Sequence, residues 1–184
     1  MDAMTIFGLP GAVCLALAAT LAASCDLLYR RIPNPLTVAL LGLWGLFCLW
    51  AAVSVGRAGF PPTGLVFGVG CSAAVLIGGY ALFCLGALGA GDVKFAAVSC
   101  LWLGEEAVAF LLATALAGGL MILQLPMLRR VEMVLASLVM RMPGPVGATS
   151  GSIPAILLRE DAQGVPYGPA IAAGIFVALM RTWA

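Results

Sequence analysis

The chain has 184 residues, of which 63% are hydrophobic and 9% charged, with a mean hydropathy of +1.13. Soluble domains carry about 25% charged residues, so this composition excludes an ordinary soluble domain and calls for an integral membrane protein. The formal net charge of +1, with no basic stripe, argues against a nucleic-acid partner.

The apolar runs are continuous and rich in Leu and Ala rather than alternating, which favours an all-α polytopic protein over a β-barrel. The first run, about Met4 to Cys25, is long enough to cross a hydrocarbon core of roughly 30 Å at 1.5 Å per residue. It lacks a basic leader region and exceeds the length of a signal-peptide core, so it reads as a retained membrane helix. Asp26 closes it, followed by Arg30-Arg31 and Ile32-Pro33-Asn34-Pro35, where two prolines break the helix and set a turn. The second run covers about Leu36 to Val55, and Gly56 to Pro62 is a loop. The third, about Thr63 to Leu88, is rich in glycine, which lets membrane helices approach closely.

Gly89-Ala90-Gly91-Asp92-Val93-Lys94 opens a short fourth run ending near Leu103, which spans only about 18 Å. A helix that short either begins partway into the membrane, with Asp92 recessed in a water-filled cavity, or sits where the bilayer thins. Gly104-Glu105-Glu106 closes it, and a fifth run follows from about Ala107 to Leu125. Pro126 to Pro166 reads as a loop in which Val131 to Met142 forms an amphipathic interfacial helix. The last run is Tyr167 to Trp183. No repeat divides the chain, so residues 1–184 are expected to form a single integral-membrane domain of about six transmembrane helices.

Charge placement orients these helices. With the N-terminus and C-terminus outside, the inner loops hold Arg30, Arg31, Lys94, Arg129, Arg130, Arg141 and Arg159, while Arg57 and Arg181 stay outside with Glu105 and Glu106. Seven basic residues against two satisfy the positive-inside rule. The loop between helices five and six is then cytoplasmic. Asp26 ends an inward helix and Asp92 begins an outward one, so both acids lie toward the cytoplasm.

An ionisable residue at membrane depth is costly and is read as functional by default. Two neighbouring aspartates cannot both ionise cheaply, so they share a proton, one acting as base and the other as acid on a water between them. The chain has no histidine, which removes the usual serine and cysteine triads and the H-E-x-x-H metalloproteases. The six cysteines form no C-x-x-C pair, which argues against a structural metal, and they read as small buried apolar residues. No cofactor is called for. Each acid also has a plainer reading. Asp26 with Arg30 makes an i,i+4 ion pair at a helix end, and Asp92 can cap the helix after a Gly-x-Gly turn. Lys94 can snorkel to the interface, and Glu105 and Glu106 make an exterior turn.

Asp26 with Arg31-Ile32-Pro33-Asn34, Gly89-Ala90-Gly91-Asp92-Val93-Lys94 and Pro166-Tyr167-Gly168-Pro169-Ala170-Ile171-Ala172, in that order, resemble the prepilin peptidase family of Gly-x-Gly-Asp aspartic proteases. The resemblance implies that Asp26 and Asp92 are the catalytic pair. Gly89, Gly91, Lys94 and Asn34 are the candidates for supporting or positioning substrate. It implies a multi-pass peptidase of the inner membrane that removes the short basic leader of type IV or Flp prepilins, or of pseudopilins, at the cytoplasmic face. Larger bacterial members carry an N-terminal C-x-x-C region and N-methylate the product. The chain resembles the shorter peptidases, those of Flp (tight adherence) pilus systems or the archaeal preflagellin peptidases, and more the bacterial Flp form, for which peptidase activity without methylation is expected. Two other functions compete. A small proton-coupled transporter would use the acids as a relay but predicts repeated halves or matched broken helices. A non-catalytic component of pilus assembly would leave both acids replaceable.

Overall fold

The computed structural model describes residues 3–54, 63–123, 134 and 167–183. Every regular element among them is helical: α1 (Ala3–Tyr29), α2 (Asn34–Ser54), α3 (Thr63–Cys84), α4 (Ala90–Leu103), a 3₁₀ turn (Gly104–Glu106), α5 (Ala107–Leu123) and α6 (Gly168–Trp183). Four helical stretches are long and apolar enough to cross a membrane: Gly8–Tyr29, Asn34–Val53, Thr63–Cys84 and Ala90–Leu123, with Gly168–Thr182 as a shorter apolar helix. The fourth stretch contains both α4 and α5, so the architecture is compatible with six crossings. The expected loop over residues 56–62, the interfacial helix over 131–142 and most of the loop over 126–166 lie outside the described residues.

The helices end where local chemistry ends them. Gly8, at φ 55° and ψ −158°, kinks α1 just ahead of Pro10. Arg30 leaves the helical region at φ 52° and its N–H still bonds the Asp26 carbonyl at 2.9 Å. Asp26 therefore lies in the last turn of α1, which runs three residues past it to Tyr29.

The third run also stops earlier than expected. Gly86 at φ 72° donates to the Phe83 carbonyl and Ala87 to that of Leu82, both at 2.9 Å, the paired bonds of a Schellman motif. That motif ends α3 at Cys84 and releases five residues, 85–89, to turn the chain into α4. Gly104, at φ 57° and ψ −117°, ends α4 with its N–H on the Cys100 carbonyl, and the turn after it leads the chain into α5.

The short α4 forms the centre. Phe95, Cys100 and Trp102 are fully buried, with Val93, Ala97, Val98, Leu101 and Leu103 nearly so. Two indoles tie it to α2: Trp44 Nε1 donates to the Leu101 carbonyl at 2.9 Å and Trp102 Nε1 to that of Leu40 at 3.2 Å. The first bond serves a carbonyl in the last turn of α4, which has no intrahelical donor. On the α3 side a Cβ at Gly68 would lie 2.9 Å from the Cys100 carbonyl oxygen, so the backbones touch there as the glycine-rich run anticipates. Ala12, Ala18, Ala19 and Ala22 of α1 are buried in the same core as Ile171, Ile175 and Ala178 of α6, and α1 packs extensively on α6.

The outward faces of α2, α3 and α5 carry Val38, Leu46, Leu49, Ile77, Leu116 and Leu123, all more than 60% exposed. An apolar surface of that extent suits lipid contact rather than water, and the chain reads as a multi-pass membrane protein. None of the six cysteines is paired. Cys100 is buried as expected, but Cys84 is exposed at the end of α3 and the other four are half-buried.

The bundle has two distinct ends. At one, Arg181 of α6 pairs with Glu106 at 3.0 Å, and Thr63 at the start of α3 donates to Glu105 at 3.1 Å. At the other lie the end of α1 and the starts of α2, α4 and α6, where the two aspartates are found.

Candidate active site

Asp26 reaches this end on α1 and Asp92 on α4. Gly89 is the N-cap of α4, extended at φ −76° and ψ 142°, and offers no side chain to cap the helix. Asp92, three residues on, supplies the missing interaction by turning its carboxylate back to the Gly89 backbone amide. Asp92 is thus not the cap that opens the helix but a first-turn residue held by its own turn. A Cβ on Gly89 would lie 2.7 Å from Asp92 Oδ2. A Cβ on Gly91 would meet Ile32 Cβ at 3.4 Å, ordinary contact with the turn between α1 and α2. Of the two glycines, only Gly89 is crowded by the carboxylate.

Asp26 is buried, 5% exposed, whereas Asp92 is half-buried. The Gly168 N–H donates to Asp26 Oδ2 at 2.7 Å, across 142 positions of sequence. The two carboxylates are near enough to act on each other electrostatically, and the Arg30 guanidinium acts on Asp26. Arg30 thus acts on Asp26 from the end of α1, where its own backbone has left the helical conformation.

Both aspartates open onto a cleft of about 330 Å³, also lined by Arg30, Arg31, Ile32, Asn34, Gly89, Ala90, Gly91 and Lys94. All six residues singled out in the sequence line it. Arg30, Arg31 and Ile32 line it too, although the sequence suggested only topology anchors and a turn. Asp92 also borders an apolar groove of about 750 Å³ formed by residues of α3, α4 and α5 with Tyr167 and Ile171. It thus stands where a polar cleft meets an apolar one.

The profile of the type IV leader peptidase family matches residues 13–123. The chain belongs to the type IV leader peptidase family, the prepilin peptidases. Neither a curated protein nor a solved structure matches it. The stretch shared with the leader peptidases holds both aspartates and every residue lining the polar cleft. It ends at the last residue of α5, so α6 and Gly168 lie beyond it. Gly168 is the contact that sequence reasoning missed. Gly168 lies in the Pro166–Ala172 motif that the sequence singled out, and Pro169 marks a helix start, but neither says what that start meets.

Proposed function

We propose that this type IV leader peptidase is an aspartic endopeptidase in which Asp26 and Asp92 activate one water between them. The observation that carries this reading is that two carboxylates, 66 positions apart in sequence, line one cleft beside the Gly-x-Gly turn. One carboxylate takes a proton from the water while the other gives its proton to the carbonyl oxygen of the scissile peptide, forming a neutral gem-diol. Collapse of the diol breaks the C–N bond, and the proton held by the base passes to the leaving amine. The missing Cβ at Gly89 leaves room beside the Asp92 carboxylate, so an extended substrate backbone can come close to it.

The substrate is a type IV or Flp prepilin, or a pseudopilin, cut between its short basic leader and the apolar helix that follows. The cleft and groove meeting at Asp92 suit a bond that separates a polar segment from an apolar one. Arg30, Arg31 and Lys94 line the cleft, while Glu105 and Glu106 lie at the opposite end of the bundle, which supports a cytoplasmic active site by the positive-inside rule. On a cysteine-free background, a cysteine at Glu105 should react with an impermeant reagent in intact cells, and one at Arg31 should need a permeant reagent. The reverse pattern would contradict the orientation.

Co-expression with a prepilin tests the activity. The prepilin should run as a shorter species on gels when the parent chain is present and at full length with Asp92→Asn. A prepilin left uncut by the well-expressed parent chain would contradict the proposal.

A further inference from the structure

We propose that Gly168 is a positioning residue of the peptidase: its backbone N–H holds one oxygen of Asp26, and its missing side chain leaves the space in which that carboxylate sits. The inference rests on the reading of Asp26 and Asp92 as the reacting pair and adds to it a residue from outside the family match.

The first N–H groups of a helix have no intrahelical acceptor. In α6, Pro169 has none to offer, and the N–H of Ile171 is taken by the Tyr167 carbonyl at 3.0 Å. The N–H of Gly168 instead finds Asp26 Oδ2 at 2.7 Å, the length of a charge-assisted bond. A helix N-terminus also favours a negative charge beside it. Oδ2 being held in this way, Oδ1 is the oxygen left to address a water in the cleft.

Space imposes a second constraint. A Cβ at residue 168 would stand 2.6 Å from Asp26 Cβ, 2.9 Å from Oδ2 and 3.1 Å from Cγ. None of these is the far end of a flexible side chain, because Asp26 is short and buried. Any other residue at 168 must push the carboxylate aside or lift the start of α6. Gly168 has no φ requirement that would explain glycine there; the close approach to Asp26 does.

Three measurements on detergent-purified protein with a prepilin peptide decide the matter. Gly168→Ala keeps the N–H and adds the Cβ, and should lower kcat per folded molecule by about 10–10²-fold with KM within about twofold, as expected when a reacting group is displaced and substrate contacts are not. Replacing residue 168 by glycolate in a semisynthetic chain deletes only the N–H. It should lower kcat about 10–10²-fold without any clash, which keeps the proposal testable if the alanine variant does not fold. Gly174→Ala crowds the same helix against Thr114 Oγ1 and the Phe110 carbonyl of α5, outside the polar cleft; it should lower the thermal midpoint and leave kcat per folded molecule within about twofold. Parental kcat in the glycolate chain, a Gly168→Ala loss confined to KM or to stability, or an equal kcat loss in Gly174→Ala would each overturn the assignment. Asp26→Asn measured alongside separates the two claims. If it is inactive while the Gly168 variants are fully active, the pair stands and the positioning role falls; if it is active, both fall.

Discussion

Asp92→Asn and Asp26→Asn should each lower cleavage by about 10²–10⁴-fold, the usual contribution of a positioned acid or base, while leaving abundance and thermal stability close to the parent. Preserved folding follows from what each carboxylate holds. Asp26 accepts the Gly168 N–H, and Asp92 reaches the Gly89 amide. An Asn side chain keeps one acceptor oxygen for such a bond, but it cannot exchange a proton with the water. On the proposed mechanism the two residues act in one step, so the double variant should be no slower than the worse single one. Turnover by each variant, normalised to folded protein, checks this. Losses that multiply in the double variant would mean that the two acids act separately.

The second large effect separates the two acids. Asp26→Glu should be nearly as inactive as Asp26→Asn, whereas Asp92→Glu should retain measurable turnover. Asp26 is buried and wedged at the first residue of α6, with one oxygen fixed 2.7 Å from the Gly168 nitrogen. An extra methylene there must displace α6 or turn the carboxylate from the cleft, and a misplacement of about 1 Å can cost 10²-fold. Asp92 borders two cavities and is half-buried, so a longer side chain finds room without moving a helix. Asp26→Glu should also lower the thermal midpoint, since overpacking costs about 1–3 kcal/mol. Equal turnover in the two Glu variants would count against this asymmetry.

The helices were legible in the sequence because their boundaries are local chemistry: long apolar runs interrupted by Pro33, Gly104 and charged residues. The brevity of α4 was legible for the same reason, and its central burial follows from packing a short apolar helix among longer ones. The early end of α3 was misjudged because the apolar run continues to Leu88, whereas the chain ends its helix through the left-handed conformation of Gly86. Hydropathy carries no trace of that. Asp26 and Asp92 stood out as acids within apolar runs, and the cleft that gathers them with Asn34, Gly89, Gly91 and Lys94 could be anticipated from motif order. The amide of Gly168 on Asp26 could not. It joins residues 142 apart through the docking of α6 on α1, a contact that no spacing or periodicity encodes.

The proposed reaction is hydrolysis, by Asp26 and Asp92 together, of a peptide bond at the junction of a leader and an apolar helix. The most direct measurement is mass spectrometry of a prepilin peptide incubated with the purified chain in lipid vesicles, with the Asp26→Asn, Asp92→Asn double variant in parallel. A leader fragment and an apolar fragment from one hydrolysed bond are expected with the parent chain, and intact peptide with the variant. Intact peptide in both, or the same two fragments at the same rate from the double variant, would contradict it.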